Sequence, residues 1–110
     1  MNNYFDSNFI KSWMNETKAE KRAIECFWKN ASLYKEEDPQ EFERNFPEFD
    51  PSFLEVNIQS ISVLFENFPE LDYNHVVVTI PIRYNEKSTG IYKILFTFDG
   101  KVEDDYFIID

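Results

Sequence analysis

The apolar residues of this chain change their spacing once, near residue 54, and that change limits the folds open to it. Before this point large apolar side chains recur every three or four positions, as Ile24 and Phe27 do, which is typical of one face of an α-helix. Beyond it they alternate, as in Val76, Val78 and Ile80, which is typical of strands with one buried face. The order therefore predicts helices first and strands afterwards.

The helical spacing predicts either two helices, over about 7–14 and 18–36, or one long bent helix. Thr17-Lys18-Ala19-Glu20 has the form of a capping box, in which the Thr17 side chain accepts a hydrogen bond from the Glu20 amide. Asp38-Pro39 is a second start signal, an N-cap acid followed by proline at the first helical position. A short helix over about 39–45 is therefore predicted.

The strand half carries its own irregularities. Alternation that begins at Leu54 resumes out of phase at Ile61, so we predict a bulge near Gln59-Ser60 that bends the first strand. In the second strand Pro81 lacks an amide hydrogen, which predicts a bulge or a poorly paired position there. Ser88-Thr89-Gly90 is predicted to turn the chain into the third strand.

Asp99-Gly100 is a hairpin signal before a fourth strand over 101–109. A two-residue loop would bring three charged residues beside the apolar face, whereas a loop of three or five residues would leave only Asp104 there. Burying one carboxylate costs less than burying three charges. We therefore predict the odd loop, with Gly100 or its neighbour in a left-handed conformation and Asp104 facing the helices.

The 110 residues predict one α+β domain over 1–110. We expect N-terminal helices (helical part 7–45) packed on one face of a curved four-stranded antiparallel meander (sheet part 53–109). This order of elements, with its bent first strand, resembles the helix-plus-meander layout of cystatin-like and nuclear-transport-factor-like folds. The resemblance implies a fold only, and no site residue or activity is carried over from it.

Negative charge is concentrated in the middle of the chain. Residues 36–72 hold eleven acids and one base, Arg44, so this acidic segment carries −10, which equals the net charge of the whole protein. Such a balance disfavours nucleic acid and anionic membranes as partners and favours a basic protein. Six phenylalanines share the segment, and acids interleaved with aromatic residues predict a recognition surface.

We therefore predict a small non-catalytic binding protein, of immunity-protein or inhibitor type, that docks onto or neutralises a basic protein partner. Its predicted partner-binding residues are Glu37, Asp38, Glu41, Phe42, Glu43, Phe46, Glu48, Phe49 and Asp50.

Two alternatives stay open. The first is a small-molecule-binding or enzymatic domain that uses a cavity between helix and sheet. Its predicted lining is Asp104, Tyr92, Tyr106 and Trp28. The second is a homodimer through the outer face of the sheet, which is predicted to expose Ile91, Leu95, Phe107 and Ile109.

The sequence offers little for catalysis. His75 is the only histidine and is expected in a surface turn, and Cys26 is the only cysteine and is expected to be a buried, inert thiol. The acids lack the spacing of a calcium loop, so we predict no catalytic residue, no metal and no cofactor. A lone cysteine, with no apolar run long enough to span a bilayer and no signal pattern, predicts a cytoplasmic protein.

Overall fold

In the computed structural model, which describes residues 5–110, three helices precede an antiparallel sheet of five strands, so the predicted α+β class is confirmed. The helices are α1 (Ser7–Thr17), α2 (Ala19–Glu37) and α3 (Pro39–Asn45), followed by a short 3-10 turn (Pro51–Phe53). The strands are β1 (Leu54–Val56), β2 (Ser60–Glu66), β3 (Tyr73–Tyr84), β4 (Lys87–Thr97) and β5 (Val102–Ile109).

The break between α1 and α2 comes from the backbone of Lys18, which is left-handed with φ 55°. The hydroxyl of Thr17 donates to the carbonyl of Trp13 at 2.7 Å instead of capping α2, so the predicted capping box is wrong. The prediction for α3 is confirmed, because the Asp38 carboxylate accepts from the amide of Glu41 at 3.1 Å and proline begins the helix.

The predicted bend of the first strand is confirmed as a break into two strands that both pair with β3. β1 pairs with residues 82–84 of β3, and β2 pairs with residues 73–79. Pro81 falls in the gap between them and pairs only with Ile91 of β4 within the described residues. Its missing amide hydrogen therefore costs no ladder bond on that side.

The turn between β3 and β4 lies at Asn85 and Glu86, whose φ values of 50° and 66° fit a two-residue type I′ hairpin. The prediction of a turn at Ser88-Thr89-Gly90 is wrong, because these residues lie in β4. Gly90 is required for the packing of β4 against β5 and not for a turn. A Cβ there would lie 2.2 Å from the carbonyl oxygen of Ile108, so only glycine lets β5 come this close.

The core lies between the helices and one face of the sheet. Small residues on α2, including Ala23 and Ala31, let this helix approach the strands closely, and Phe27 fills the space between. α3 adds Phe42, and its C-cap residue Phe46 follows; each is only 3% exposed. Burying a phenylalanine side chain contributes about 1.5–3 kcal/mol to the stability of the fold. These two buried phenylalanines therefore hold α3 against the core, while its acidic side chains face the solvent.

Candidate functional site

The site is set by the register of the β4–β5 hairpin. The amide of Thr97 donates to the carbonyl of Lys101 at 2.8 Å, and Phe96 lies opposite Val102. The loop therefore has three residues, one of the two odd lengths predicted, and Gly100 has a φ of 90°. This odd loop keeps the apolar residues of the two strands on one face at the start of the hairpin.

A bulge at Glu103 then shifts the register by one. Beyond it Leu95 lies opposite Asp104 and Ile94 lies opposite Asp105. Because Ile94 faces the helices and is fully buried, Asp105 faces them too, and Asp104 is exposed on the outer side. The prediction that Asp104 faces the helices is wrong by one residue, because a bulge moves every later side chain to the opposite face.

Asp105 is tied to both the sheet and α2. Its Oδ2 atom accepts hydrogen bonds from the Tyr92 hydroxyl at 2.6 Å and from Asn30 Nδ2 at 2.5 Å. Burial, reinforced by the hydrogen bond to Asp105, raises the pKa of Tyr92, so this hydroxyl stays a donor. No hydrogen bond from residues 5–110 reaches Oδ1, which leaves one oxygen of the half-buried carboxylate available to a ligand.

A groove of about 430 Å³ opens beside this carboxylate, between α2, α3 and β5. We call it the acidic groove, because it brings Glu37 and Glu41 of the acidic segment together with Asp105. Aromatic and apolar side chains form much of the remaining wall. Its full lining is Asn30, Leu33, Tyr34, Glu37, Glu41, Asp105, Tyr106, Phe107 and Ile109.

Within residues 5–110, no lysine, arginine or histidine side chain forms an ion pair with Glu37, Glu41 or Asp105, the three carboxylates of the acidic groove. The Tyr34 hydroxyl accepts from Asn45 at 2.7 Å, and burial, with a further contribution from Glu41, raises the pKa of Tyr34. An acidic wall beside aromatic faces suits an ammonium or guanidinium group.

The predicted partner-binding acids take different roles. Glu37 and Glu41 line the acidic groove, whereas Asp38 caps α3. Glu43 accepts from the amide of Glu48 at 2.9 Å, and both are exposed. The Asp50 carboxylate accepts from the amide of Ser52 at 2.9 Å, and hydrogen bonds from Ser52 hold the pKa of Asp50 below its usual value.

The predicted aromatic anchors are mostly interior. Phe42 and Phe46 belong to the core, so a partner cannot reach them in this conformation, and their assignment as anchors is wrong. Phe49 is half-buried, stacked 6.0 Å from the ring of Tyr84 and lying under the ammonium of Lys35. Tertiary packing hides these rings, while other phenylalanines of the acidic segment, such as Phe68, remain exposed.

The predicted pocket between helix and sheet is largely filled. The ring of Phe27 lies 5.3 Å from Trp28, 5.6 Å from Tyr92 and 5.8 Å from Phe107, all in edge contacts. Of the predicted lining, Tyr106 lines the acidic groove, whereas Tyr92 and Trp28 pack into the interior. The space left for a ligand among the predicted lining residues is therefore the acidic groove itself.

Sequence reasoning missed Asn30, Tyr34 and Asp105 as site residues. The prediction that Phe107 and Ile109 lie on the outer face of the sheet is wrong, because the bulge turns both toward the helices. For Asn30 a signal was present. It lies three residues after Phe27 and four before Tyr34, so it is a polar residue within the apolar stripe of α2. A polar side chain at such a position needs a hydrogen-bonding partner, and Asp105 is that partner.

The only histidine and the only cysteine of the chain, His75 and Cys26, do not line the acidic groove. His75 is 3% exposed within β3, so its predicted place in a surface turn is wrong. Its Nε2 atom lies 3.3 Å from a Glu66 oxygen, on the outer side of the sheet. Cys26 is half-buried, and burial raises the pKa of its thiol, which disfavours the reactive thiolate.

Comparison with protein families, with curated proteins and with solved structures gave no match. The likeness to cystatin-like and nuclear-transport-factor-like folds therefore stays one of element order. Across residues 5–110, no cluster of three or more His, Cys, Asp and Glu side chains is placed to hold a metal ion. No helix in the described part of the chain is long and apolar enough to cross a membrane.

Proposed function

We propose that this protein is a non-catalytic binding protein that docks onto a basic protein partner, in the manner of an immunity protein or inhibitor. The acidic groove receives a lysine or arginine side chain of that partner. The observation that carries this proposal is that Glu37, Glu41 and Asp105, none of them ion-paired within the described residues, line one groove with aromatic walls.

The surroundings of the groove support the same chemistry. Asp105 is held by Tyr92 and Asn30, so the free carboxylate oxygen is already oriented before a ligand arrives. A guanidinium group has the planar fork that matches a carboxylate and also stacks on aromatic faces. Elsewhere in the acidic segment, the exposed acids Glu36 and Glu43 add to the negative field that would speed the approach of a basic surface.

The proposal is tested with a hexa-arginine peptide and its neutral hexa-citrulline counterpart, in binding measurements at several salt concentrations. The double variant Glu37→Gln/Glu41→Gln should bind hexa-arginine about tenfold more weakly, a loss of about 1.4 kcal/mol. The control Glu16→Gln/Glu70→Gln removes the same charge at exposed positions outside the acidic groove and should change affinity less than about twofold.

Equal weakening by both double variants would show that only net charge matters, and the groove would be rejected as the binding site. If hexa-citrulline bound as tightly as hexa-arginine, the claim that the groove recognises positive charge would be rejected. With the groove established, a basic protein encoded next to this gene is the first natural partner to test. Such a pair would act in the cytoplasm, where a single reduced cysteine is expected.

The alternative function is a small-molecule-binding or enzymatic domain with its site in the same groove, whose volume lies within the range of ligand pockets. Free arginine methyl ester distinguishes the two. If it binds as tightly as the peptide, the groove serves a small cation. If affinity rises with the length of the basic peptide, the groove is one part of a larger protein interface.

A further inference from the structure

The edge of the sheet opposite the acidic groove is open. β2 pairs with β3 on one side, and no strand in residues 5–110 pairs with its other side. Alternate residues of such an edge strand direct their backbone N–H and C=O groups outward, ready to pair with another strand. Edge strands are commonly protected by charge or proline, yet residues 56–65 contain neither.

An apolar surface flanks this edge on the side of the helices. A groove of about 800 Å³ lies between α1 and β2, and its apolar lining includes Phe9, Trp13, Val63, Phe65 and Phe98. The side chain of Phe9 is 75% exposed, and Val63 and Phe65 are each about half exposed. Contiguous apolar surface beside an open edge marks an interaction site, because monomeric proteins rarely leave such surface in water.

We propose that a second copy of this chain covers this surface, through antiparallel pairing of β2 with β2 of the partner around a two-fold axis at Val63. With the axis at Val63, the centre of β2, every residue of β2 lies opposite a residue of the partner's β2. This pairing sets Ile61 opposite Phe65 and Glu66 opposite Ser60, so no acid of β2 faces an acid. A protein of net charge −10 repels its own copy over most of its surface, whereas residues 60–65 of β2 carry no charge and Glu66 at its end is the one acid of the strand.

The exposed apolar area beside β2 is comparable with the area that a stable dimer buries. Phe5, Phe9, Phe65 and Phe98 are 90%, 75%, 52% and 41% exposed. At about 200 Å² for each phenylalanine, these four side chains offer roughly 500 Å² per copy. Two copies would bury at most roughly 1,000 Å² from these rings, which is close to the roughly 1,000 Å² that a specific interface requires. Val63 and the β2 backbone add to this area.

The dimer is independent of the proposed function. β2 and β5 lie at opposite edges of the sheet, so pairing through β2 leaves the acidic groove open in both copies. A dimeric protein with no affinity for cationic peptides would contradict only the function. A monomer that binds them in the groove would contradict only the dimer.

Sedimentation velocity across micromolar concentrations tests the proposal with matched lysine variants. Val63→Lys places two like charges at the two-fold axis and should weaken dimerisation more than about tenfold. Ile108→Lys is the control, because Ile108 is 45% exposed, close to the 47% of Val63, but lies on the outer face of β5. It should change the dimerisation constant less than about twofold.

A monomeric wild-type protein at every concentration would overturn the proposal. So would a dimer that Ile108→Lys dissociates and Val63→Lys does not, because the interface would then be the outer face of the sheet. Near-ultraviolet circular dichroism confirms that each variant is folded. As a second readout, Val63→Cys in a Cys26→Ser background should form an intermolecular disulfide on mild oxidation, since directly opposed strand residues lie within disulfide range. Ile108→Cys in the same background should not.

Discussion

The hydroxyl of Tyr92 donates a hydrogen bond of 2.6 Å to the carboxylate of Asp105, which joins two neighbouring strands on the face that packs against α2. Asn30 of α2 donates to the same oxygen, so one carboxylate atom connects the helix with two strands. The bulge at Glu103 places Asp105 rather than Asp104 at this point. The same bond thus stabilises the register of β5 and orients the acid at the base of the acidic groove.

The register predicts that the two adjacent aspartates differ in their contribution to stability. Asp105→Ala removes the acceptor of both Tyr92 and Asn30, and an unpaired buried donor costs about 1–3 kcal/mol. Asp104→Ala is the matched control at an exposed position and should change the free energy of unfolding by less than about 0.5 kcal/mol. Urea denaturation measures both, and equal losses would contradict the bulge at Glu103.

Tyr92 predicts a loss of stability at alkaline pH. The pKa of Tyr92 is raised in the folded protein, so above about pH 10 the unfolded chain loses this proton while the folded one keeps it. The favourable contribution is therefore complete below pH 10, and it falls by about 1.4 kcal/mol per pH unit as the pH rises above that value.

Denaturant titrations of wild type and Tyr92→Phe on both sides of pH 10 measure this dependence. The variant should show the shallower decline, because it lacks the Tyr92 hydroxyl. Some decline should remain in both proteins, because both keep Tyr34 and Tyr73, whose pKa values are also raised. Identical slopes would mean that the Tyr92 proton is not retained by folding.

The two classes of phenylalanine in the acidic segment predict different mutational costs. Phe42→Ala empties a core position and should cost about 3–5 kcal/mol of unfolding free energy. Phe68→Ala removes a side chain that is 87% exposed and should cost less than about 0.5 kcal/mol. Thermal and urea unfolding give both values. A small cost for Phe42→Ala would mean that α3 does not pack as described.

The β3–β4 hairpin predicts opposite effects for two substitutions that involve glycine. Glu86→Gly should stabilise the protein by about 1 kcal/mol, because Glu86 has a positive φ and its hydrogen bond from Arg83 uses the backbone carbonyl, which glycine keeps. Gly90→Ala should destabilise it by about 1–3 kcal/mol, because the new Cβ would overlap the Ile108 carbonyl. Unfolding midpoints that move the other way in either variant would contradict this geometry.

The sequence predicted the elements because their causes are local. Apolar spacing predicted the helices and strands, Asp38-Pro39 the start of α3, and the phase change before Ile61 the break between β1 and β2. The turn at Asn85-Glu86 was missed because it lacks the glycine that usually follows asparagine in such a turn. Gly90 looked like the turn instead, although its role is the close approach of β5.

The candidate site was predicted only in part because it depends on tertiary contacts. Alternation correctly indicated an acid of the last strand near Tyr92, but it could not reveal the bulge at Glu103 that exchanges Asp104 for Asp105. The acidic segment was visible, yet which of its residues face a groove depends on how α3 packs against α2. Glu37 and Glu41 meet Asp105 through that packing, whereas Phe42 turns into the core.

The most direct test of the central claim is an amide NMR titration of the ¹⁵N-labelled protein with a capped peptide carrying one arginine between glycines, repeated with citrulline in its place. The acidic groove predicts shifts at Glu37, Glu41, Asp105 and Tyr106 and at the Asn30 side-chain amide, with arginine only. Shifts spread evenly over residues 36–72, or the same shifts with citrulline, would contradict it.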